Sequence, residues 1–200
     1  MKNLSSAHLI MILFAIIALI PEVVAVNPSH LEKLQNSKAC SKCDLSDADL
    51  QGADLENAVL TGAKLERSRL DDAKLAGANL LGAKLQDAVL TNSNLEFTDL
   101  RGAKFTNANL QGANLQGADL NLASLEGANL SSATLEVAKL DLVNLKGANL
   151  SDSNLSKANL SEADLTGSNL SRAKIEKTLF IKAIFCNTIM PDETINNDNC

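Results

Sequence analysis

The sequence predicts an all-β solenoid, a chain that coils repeatedly around one axis with its leucines inside. Three observations predict it. From Leu45 to Leu170 every fifth residue is Leu except Phe105, which makes 26 positions, 25 of them Leu, without an insertion. Two places before each stands a small residue, Ala in 19 of the 26 cases and otherwise Cys43, Ser68, Ser93, Thr98, Val143, Ser153 or Ser168. The chain is 46% apolar with only three prolines, which allows one globular domain and excludes a chain too polar for a core.

A period of five suits neither simple element. On an α-helix successive leucines would rotate by about 140° and spread around the cylinder. On a flat strand, with its period of two, alternate leucines would point to opposite faces. All can face one interior only if every pentad contains a bend. The unit is A-(D/N/K)-L-x-x: Leu and the preceding Ala point inward, the Ala small because adjacent walls crowd there, and the frequent final Gly suits a tight turn. The register continues, degraded, through Ile175, Phe180 and Phe185.

Ahead of the repeat, Lys2 precedes an uncharged stretch from Leu9 to Ile20, followed by Pro21 and the small-residue site Val23, Val24, Ala25. Residues 1–25 therefore read as a secretory signal peptide cleaved after Ala25. The stretch is shorter than the roughly 20 residues of a membrane span, so no stable membrane insertion is expected after cleavage. Residues 26–40 read as an N-terminal cap: Asn27 and Pro28 followed by Leu31 and Leu34 have the pattern of an N-capped, short amphipathic helix. His30 is read as an innocuous residue on it. Residues 41–187 are the repeat body and 188–200 a C-terminal cap, because bare terminal coils would expose a Leu layer and unpaired edges.

Composition removes several functions. Aromatics are 2%, five Phe with no Tyr or Trp, which leaves nothing to line an aromatic pocket or stack bases. A net charge of -6 supplies no basic field for nucleic acid or anionic lipid. The only histidines are His8 and His30, so the repeat holds no Ser/His or Cys/His pair and no imidazole ligand. No catalytic residue, cofactor or metal is expected.

The run ANLQGANLQGADL at 108–120, varied along the whole body, resembles the pentapeptide-repeat proteins. The resemblance implies a right-handed quadrilateral β-helix with four pentads to a coil, hence about seven coils and a rod roughly 34 Å long at about 4.8 Å per layer. The opening from Cys40 to Leu45 and the closing from Phe185 to Asp192 resemble an exported subgroup frequent in cyanobacteria and related to chloroplast-lumen members, which implies a periplasmic or thylakoid-lumen address. Many of that subgroup carry Gly after the Pro-Asp pair; here Glu193 stands there. Four cysteines allow three pairings. The implied rod puts Cys40 and Cys43 at one end and Cys186 and Cys200 at the other, and bridged Cα atoms must lie within about 7 Å, so Cys40 is expected to pair with Cys43 and Cys186 with Cys200.

Outward positions supply the candidate sites. Asp44, Asp47, Asp49 and Asp54 crowd the first coil, where a solvated acidic face is expected over a hard-cation site. Lys64, Lys84 and Lys104 stack twenty residues apart and are expected to be offset by neighbours such as Glu66; Glu56, Glu96, Glu136 and Glu176 recur at every second coil. Phe97, Leu122, Val137 and Leu142, with Leu81 nearby, place apolar residues in outward slots and form a candidate contact patch.

The expected function is a non-enzymatic exported rod that presents a surface to a protein partner as yet unidentified, a second copy included. Two alternatives compete. An acidic DNA mimic that binds gyrase is implied by some members of the resembling family, and the signal segment and uninterrupted register argue against it. A thiol-redox role would rest on Cys40 and Cys43, yet such motifs open a helix after a strand, which this register does not offer. N-terminal sequencing of the native protein is expected to begin at Val26; a start at Met1 in a cytoplasmic fraction overturns the export reading.

Overall fold

The computed structural model describes residues 27–198 and 200, so the expected signal segment lies outside the described residues. One helix, α1 (Pro28–Ser37), precedes the repeat, and a short antiparallel pair, β1 (Thr188–Ile189) and β2 (Ile195–Asn196), follows it. Between them the chain is a succession of turns joined by single-residue parallel bridges, each linking residue i to residue i+20.

One pentad explains the rest, because each of its five N–H groups has an assigned place. Leu45 and Asp47 donate to the next coil, to Lys64 O at 2.8 Å and Glu66 O at 2.9 Å. Ala48 donates back to Leu45 O at 3.1 Å and closes the turn. One coil on, Arg69, the counterpart of Asp49, donates to Ala48 O at 2.9 Å. The fifth, on Ser46, goes to the Asp44 side chain at 3.3 Å. That last bond is why Asp and Asn favour the slot before Leu: a short side-chain acceptor takes the N–H two residues on. Asn94, Asn109, Asn114, Asn129 and Asn149 do the same at 3.1 to 3.2 Å.

The turn needs a positive φ at its third position, the type II signature. All ten glycines occupy such positions, with φ from 63° to 69°. The final Gly therefore has the role the sequence assigns it, but most corners manage without Gly. Asp47, Asn57, Arg67, Asp72 and many other non-glycine residues take the same conformation.

Four ladders make four walls. The first runs from Ala39 to Leu179, the second from Asp44 to Ile184, the third from Asp49 to Ile189 and the fourth from Asp54 to Lys174. Inside, every Leu of the series is at most 6% exposed, Phe105 fills a Leu slot completely, and the small residues before them are buried except Ala53. Burying one Leu contributes about 1.5 to 3 kcal/mol before chain entropy is subtracted. Three hydroxyls in the small slot return to backbone, Ser68 to Leu65 O at 2.7 Å, Ser93 to Leu90 O at 2.8 Å and Thr98 to Leu95 O at 2.6 Å, while those of Ser153 and Ser168 are buried without a partner.

At the start, the Asn27 side chain accepts the Ser29 N–H at 3.2 Å, Pro28 opens α1, and Lys38 ends it with φ 50° while donating to Leu34 O. Leu34 joins the core and Leu31 packs on it. His30 is not innocuous. Its Nδ1 lies 3.0 Å from the Asp44 nitrogen and accepts an N–H that in later coils goes to a preceding coil. At the other end the chain turns back between β1 and β2 with Glu193 at φ 65°, a position that favours Gly in such hairpins. Glu193 is anchored there by Arg172, 3.3 Å from its carboxylate. Among the described residues no helix is long and apolar enough to cross a membrane.

Leu115 is fully buried and Gln116 beside it faces outward, half-buried. Leu115→Asp is expected to lower stability by more than about 4 kcal/mol, because an unpaired carboxylate enters the Leu column, and Gln116→Asp by less than about 1 kcal/mol. Denaturant unfolding of the two variants checks this, and equal losses would refute the register.

Candidate interaction surface

Phe97, Leu122, Val137 and Leu142 are corner residues. Each takes the left-handed slot of its turn, at φ 53°, 63°, 53° and 58°, and each is well exposed, from 42% at Val137 to 65% at Leu122. Their placing divides the candidate patch into two pairs. Phe97 and Val137 stand on the corner between the fourth and first walls, Leu122 and Leu142 on the corner between the first and second. The first-wall rungs Asp99, Asp119 and Lys139 run between. The result is two apolar ridges flanking a charged strip, along which Arg101 clamps Asp99 through bonds of 2.8 and 2.7 Å and Lys139 lies 3.5 Å from Asp119. Leu81 sits on the Leu122 corner lower in the stack, 37% exposed.

On the first ridge the Phe97 ring lies over Gly117. A Cβ built on Gly117 would stand 2.5 Å from two ring carbons, so the bare backbone there is what lets the ring lie along the ridge. Sequence reasoning found these four residues but not their conformation. The signal was present: the slots they fill are those where the same column carries Gly77 and Gly117, or Gly62, Gly82 and Gly102.

The profile of the family described as pentapeptide repeats matches residues 40–75, 68–107, 108–147 and 144–180. This chain belongs to the pentapeptide-repeat family. Membership makes the four-walled stack a right-handed β-helix. Among solved pentapeptide-repeat structures, HetL of Nostoc sp. strain PCC 7120, involved in heterocyst differentiation regulation, is 30% identical over 79% of this chain and 87% of its own, with a TM-score of 0.32. A protein from the Arabidopsis thaliana thylakoid lumen is 32% identical over 46% of this chain and 61% of its own, with a TM-score of 0.37. QnrB1, a plasmid-mediated fluoroquinolone resistance protein, is 18% identical over 67% of this chain and 78% of its own, with a TM-score of 0.40. No curated protein sequence matches.

In this pentapeptide-repeat protein the acidic residues of the first coil do not converge on a cation. Each faces its own base: Asp44 Lys64 at 2.9 Å, Asp47 Arg67 at 2.6 Å, Asp49 Arg69 at 3.6 Å and Asp54 Lys38 at 2.8 Å. Three of the four pairs join residues twenty apart, so they tie one coil to the next. Among the described residues no group of three His, Cys, Asp or Glu side chains comes together as a metal site. Lys64 is offset first by Asp44, which it reaches at 2.9 Å, and to a lesser degree by the charge of Glu66, whose carboxylate accepts from Ser46. Of the recurring glutamates, Glu136 is 2.9 Å from Lys157.

Cys40 and Cys43 are joined, with Cα atoms 5.2 Å apart, and are 0% and 3% exposed. Cys186 and Cys200 are joined with Cα atoms 4.8 Å apart. The shallow clefts lie at the two ends of the stack, one of about 270 Å³ between α1 and the first coil, lined by Leu34, Lys38, Asp49 and Asp54 among others.

Hydrogen bonds from Lys64, Arg67, Lys38, Arg101 and Arg172 hold the carboxyls of Asp44, Asp47, Asp54, Asp99 and Asp152 below the usual aspartate value. A carboxyl depressed in the folded state stabilises above its unfolded pKa, about 3.9, and that stability is lost as pH falls through the folded values. Thermal melts are expected to be flat from about pH 7 to pH 5 and to fall below about pH 4, less steeply in high salt. Stability that rises on acidification would contradict the assigned pairs.

Proposed function

We propose that this chain is an exported, non-enzymatic protein-interaction rod whose contact surface is the first wall with its two apolar ridges. The organisation is a signal segment at 1–25, a cap at 26–40 closed by α1, about seven coils over 41–187, and a C-terminal cap at 188–200. The signal-like segment supports export to a periplasm or thylakoid lumen. The buried Cys40 to Cys43 bridge favours a staple over a redox couple, since a partner thiolate must reach the sulfur.

One observation carries the reading. Four large apolar residues sit exposed in left-handed slots where Gly is at ease, and for β-branched Val137 such a φ is a genuine outlier. Neither burial nor backbone preference favours them there, which points to contact with a partner. That partner is a protein offering apolar side chains to the two ridges and polar groups to the strip of Asp99, Asp119 and Lys139.

Changing Phe97, Leu122, Val137 and Leu142 together to Gly is expected to leave the melting temperature unchanged or raised, because Gly relieves the left-handed positions, and to abolish capture of the partner from the native compartment. A variant that melts normally and still captures every protein the wild type captures would remove the ridges from the function.

A further inference from the structure

The first wall is complementary to its own inverse. Its rungs stack one coil apart from Asn79 through Asp99, Asp119, Lys139 and Asn159 to Leu179. The level midway between Asp119 and Lys139 has acid on one side and base on the other. Apolar residues stand at equal heights above and below that same level. On the corner between the first and second walls, Leu122 belongs to the coil of Asp119 and Leu142 to the coil of Lys139. The position just before it carries Ser41, Thr61, Leu81, Arg101, Asn121, Asp141, Ser161 and Ile181. Its two apolar members, Leu81 and Ile181, lie two coils below Asn121 and two coils above Asp141, and are 37% and 60% exposed. On the opposite corner Val137 stands one coil above Gly117, over which the Phe97 ring lies.

We propose that a second copy of this chain covers the first wall, face to face and antiparallel, about a two-fold axis running across the wall midway between Asp119 and Lys139. The proposal rests on the reading of the ridges as the contact surface and names their partner. The rotation sets each corner against the same corner of the second copy with its order reversed. Leu122 then meets Leu142 of the second copy, Leu81 meets its Ile181, and Val137 meets its Phe97 ring over Gly117. Asp119 faces Lys139 of the second copy, and Lys139 faces its Asp119. An isologous contact requires this pattern, because one patch must serve as both sides. For an unrelated partner nothing would require the apolar and charged residues to be symmetric about one level.

Charge selects the arrangement. An axis half a layer lower sets Asp119 against Asp119, one half a layer higher sets Lys139 against Lys139, and parallel rods bring both like pairs together. A shift of one whole layer puts Asp99 against Asp119 in one direction and Leu142 against Glu162 in the other. Size agrees with a reversible contact. The overlap covers the six layers from Asn79 to Leu179. At about 4.8 Å per layer and about 3.3 Å for each of the five residues across a wall, the flat area is about 480 Å² before side-chain relief is counted. Specific interfaces begin at about 600 Å² per partner, so the dimer is expected to dissociate on dilution.

Sedimentation equilibrium and small-angle scattering of the native protein test the proposal. The expected result is a concentration-dependent particle of twice the monomer mass, with the length of one rod and a doubled cross-section. Asp119→Lys and Lys139→Asp each set like charges together across the axis, and each is expected to weaken the dimer at least about tenfold. Both are expected to fold, because the same rung slot holds Lys64 and Lys84 in some coils and Asp99 in another, and their melting temperatures check this. Mixed in equal amounts they are expected to form a dimer of one copy each, since each supplies the charges the other lacks. The ridge variant with four glycines is expected to be monomeric. A wild type that stays monomeric at about 100 µM, a dimer of doubled length, charge variants that dimerise alone as tightly as the wild type, or a mixture that stays monomeric would each overturn the proposal. If the four-glycine variant in that case still loses proteins that the wild type captures, the ridges keep their role with a different protein; if it loses none, that role falls as well.

Discussion

The backbone hydrogen bond between one coil and the next is the constraint on which everything else in this molecule rests. Three of the five N–H groups in a pentad cross to a neighbouring coil, one closes the turn and, where Asp or Asn precedes the Leu, as at Asp44, one goes to that side chain. Buried amides must be paired, so the chain has no freedom to add or drop a residue. The unbroken count from Leu45 to Leu170 follows, since a single insertion would move every later Leu out of the column and every later N–H off its acceptor.

That constraint also decides where chemistry can be placed. The inner slots are committed to Leu and a small residue, and the slot before Leu is mostly an amide-capping side chain or a long base, with Val59 and Val89 among the exceptions. Variation is left to the corners and the outward wall. Most ion pairs accordingly run along the axis, as in Asp47 with Arg67 and Asp152 with Arg172, each spanning one coil. The ridges occupy the corners, where a side chain clears both adjoining walls. A site on such a scaffold is a surface, not a pocket.

The ends show what happens when the rule stops. The first coil substitutes a helix and an imidazole for the missing coil. The last coil substitutes a hairpin for one wall out of four. The inequality between the two is a property of the particular residues at 174–196, since the repeat itself is symmetrical with respect to layers.

Much of this was legible in the linear chain. The period of five, the small residue two places earlier and the pattern at Asn27 and Pro28 determine an inward Leu column and a helical start, because these features depend on local spacing alone. The cysteines stand at opposite ends for the same reason: no Cys lies between 44 and 185. Tertiary structure decided what depends on neighbours twenty residues away. It set Phe97 and Val137 apart from Leu122 and Leu142 by a charged wall, because corner and wall positions differ only once the coil closes. It gave Asp44, Asp47 and Asp49 to separate bases instead of a common cation, because stacking sets a base of the next coil beside each carboxylate. It made His30 the acceptor for Asp44, a contact between a helix and a coil that no spacing announces. And it left Leu179, Ile181 and Ile184 exposed at an open edge, because whether an outward residue is the last of its column is a fact about the stack and not about the pentad.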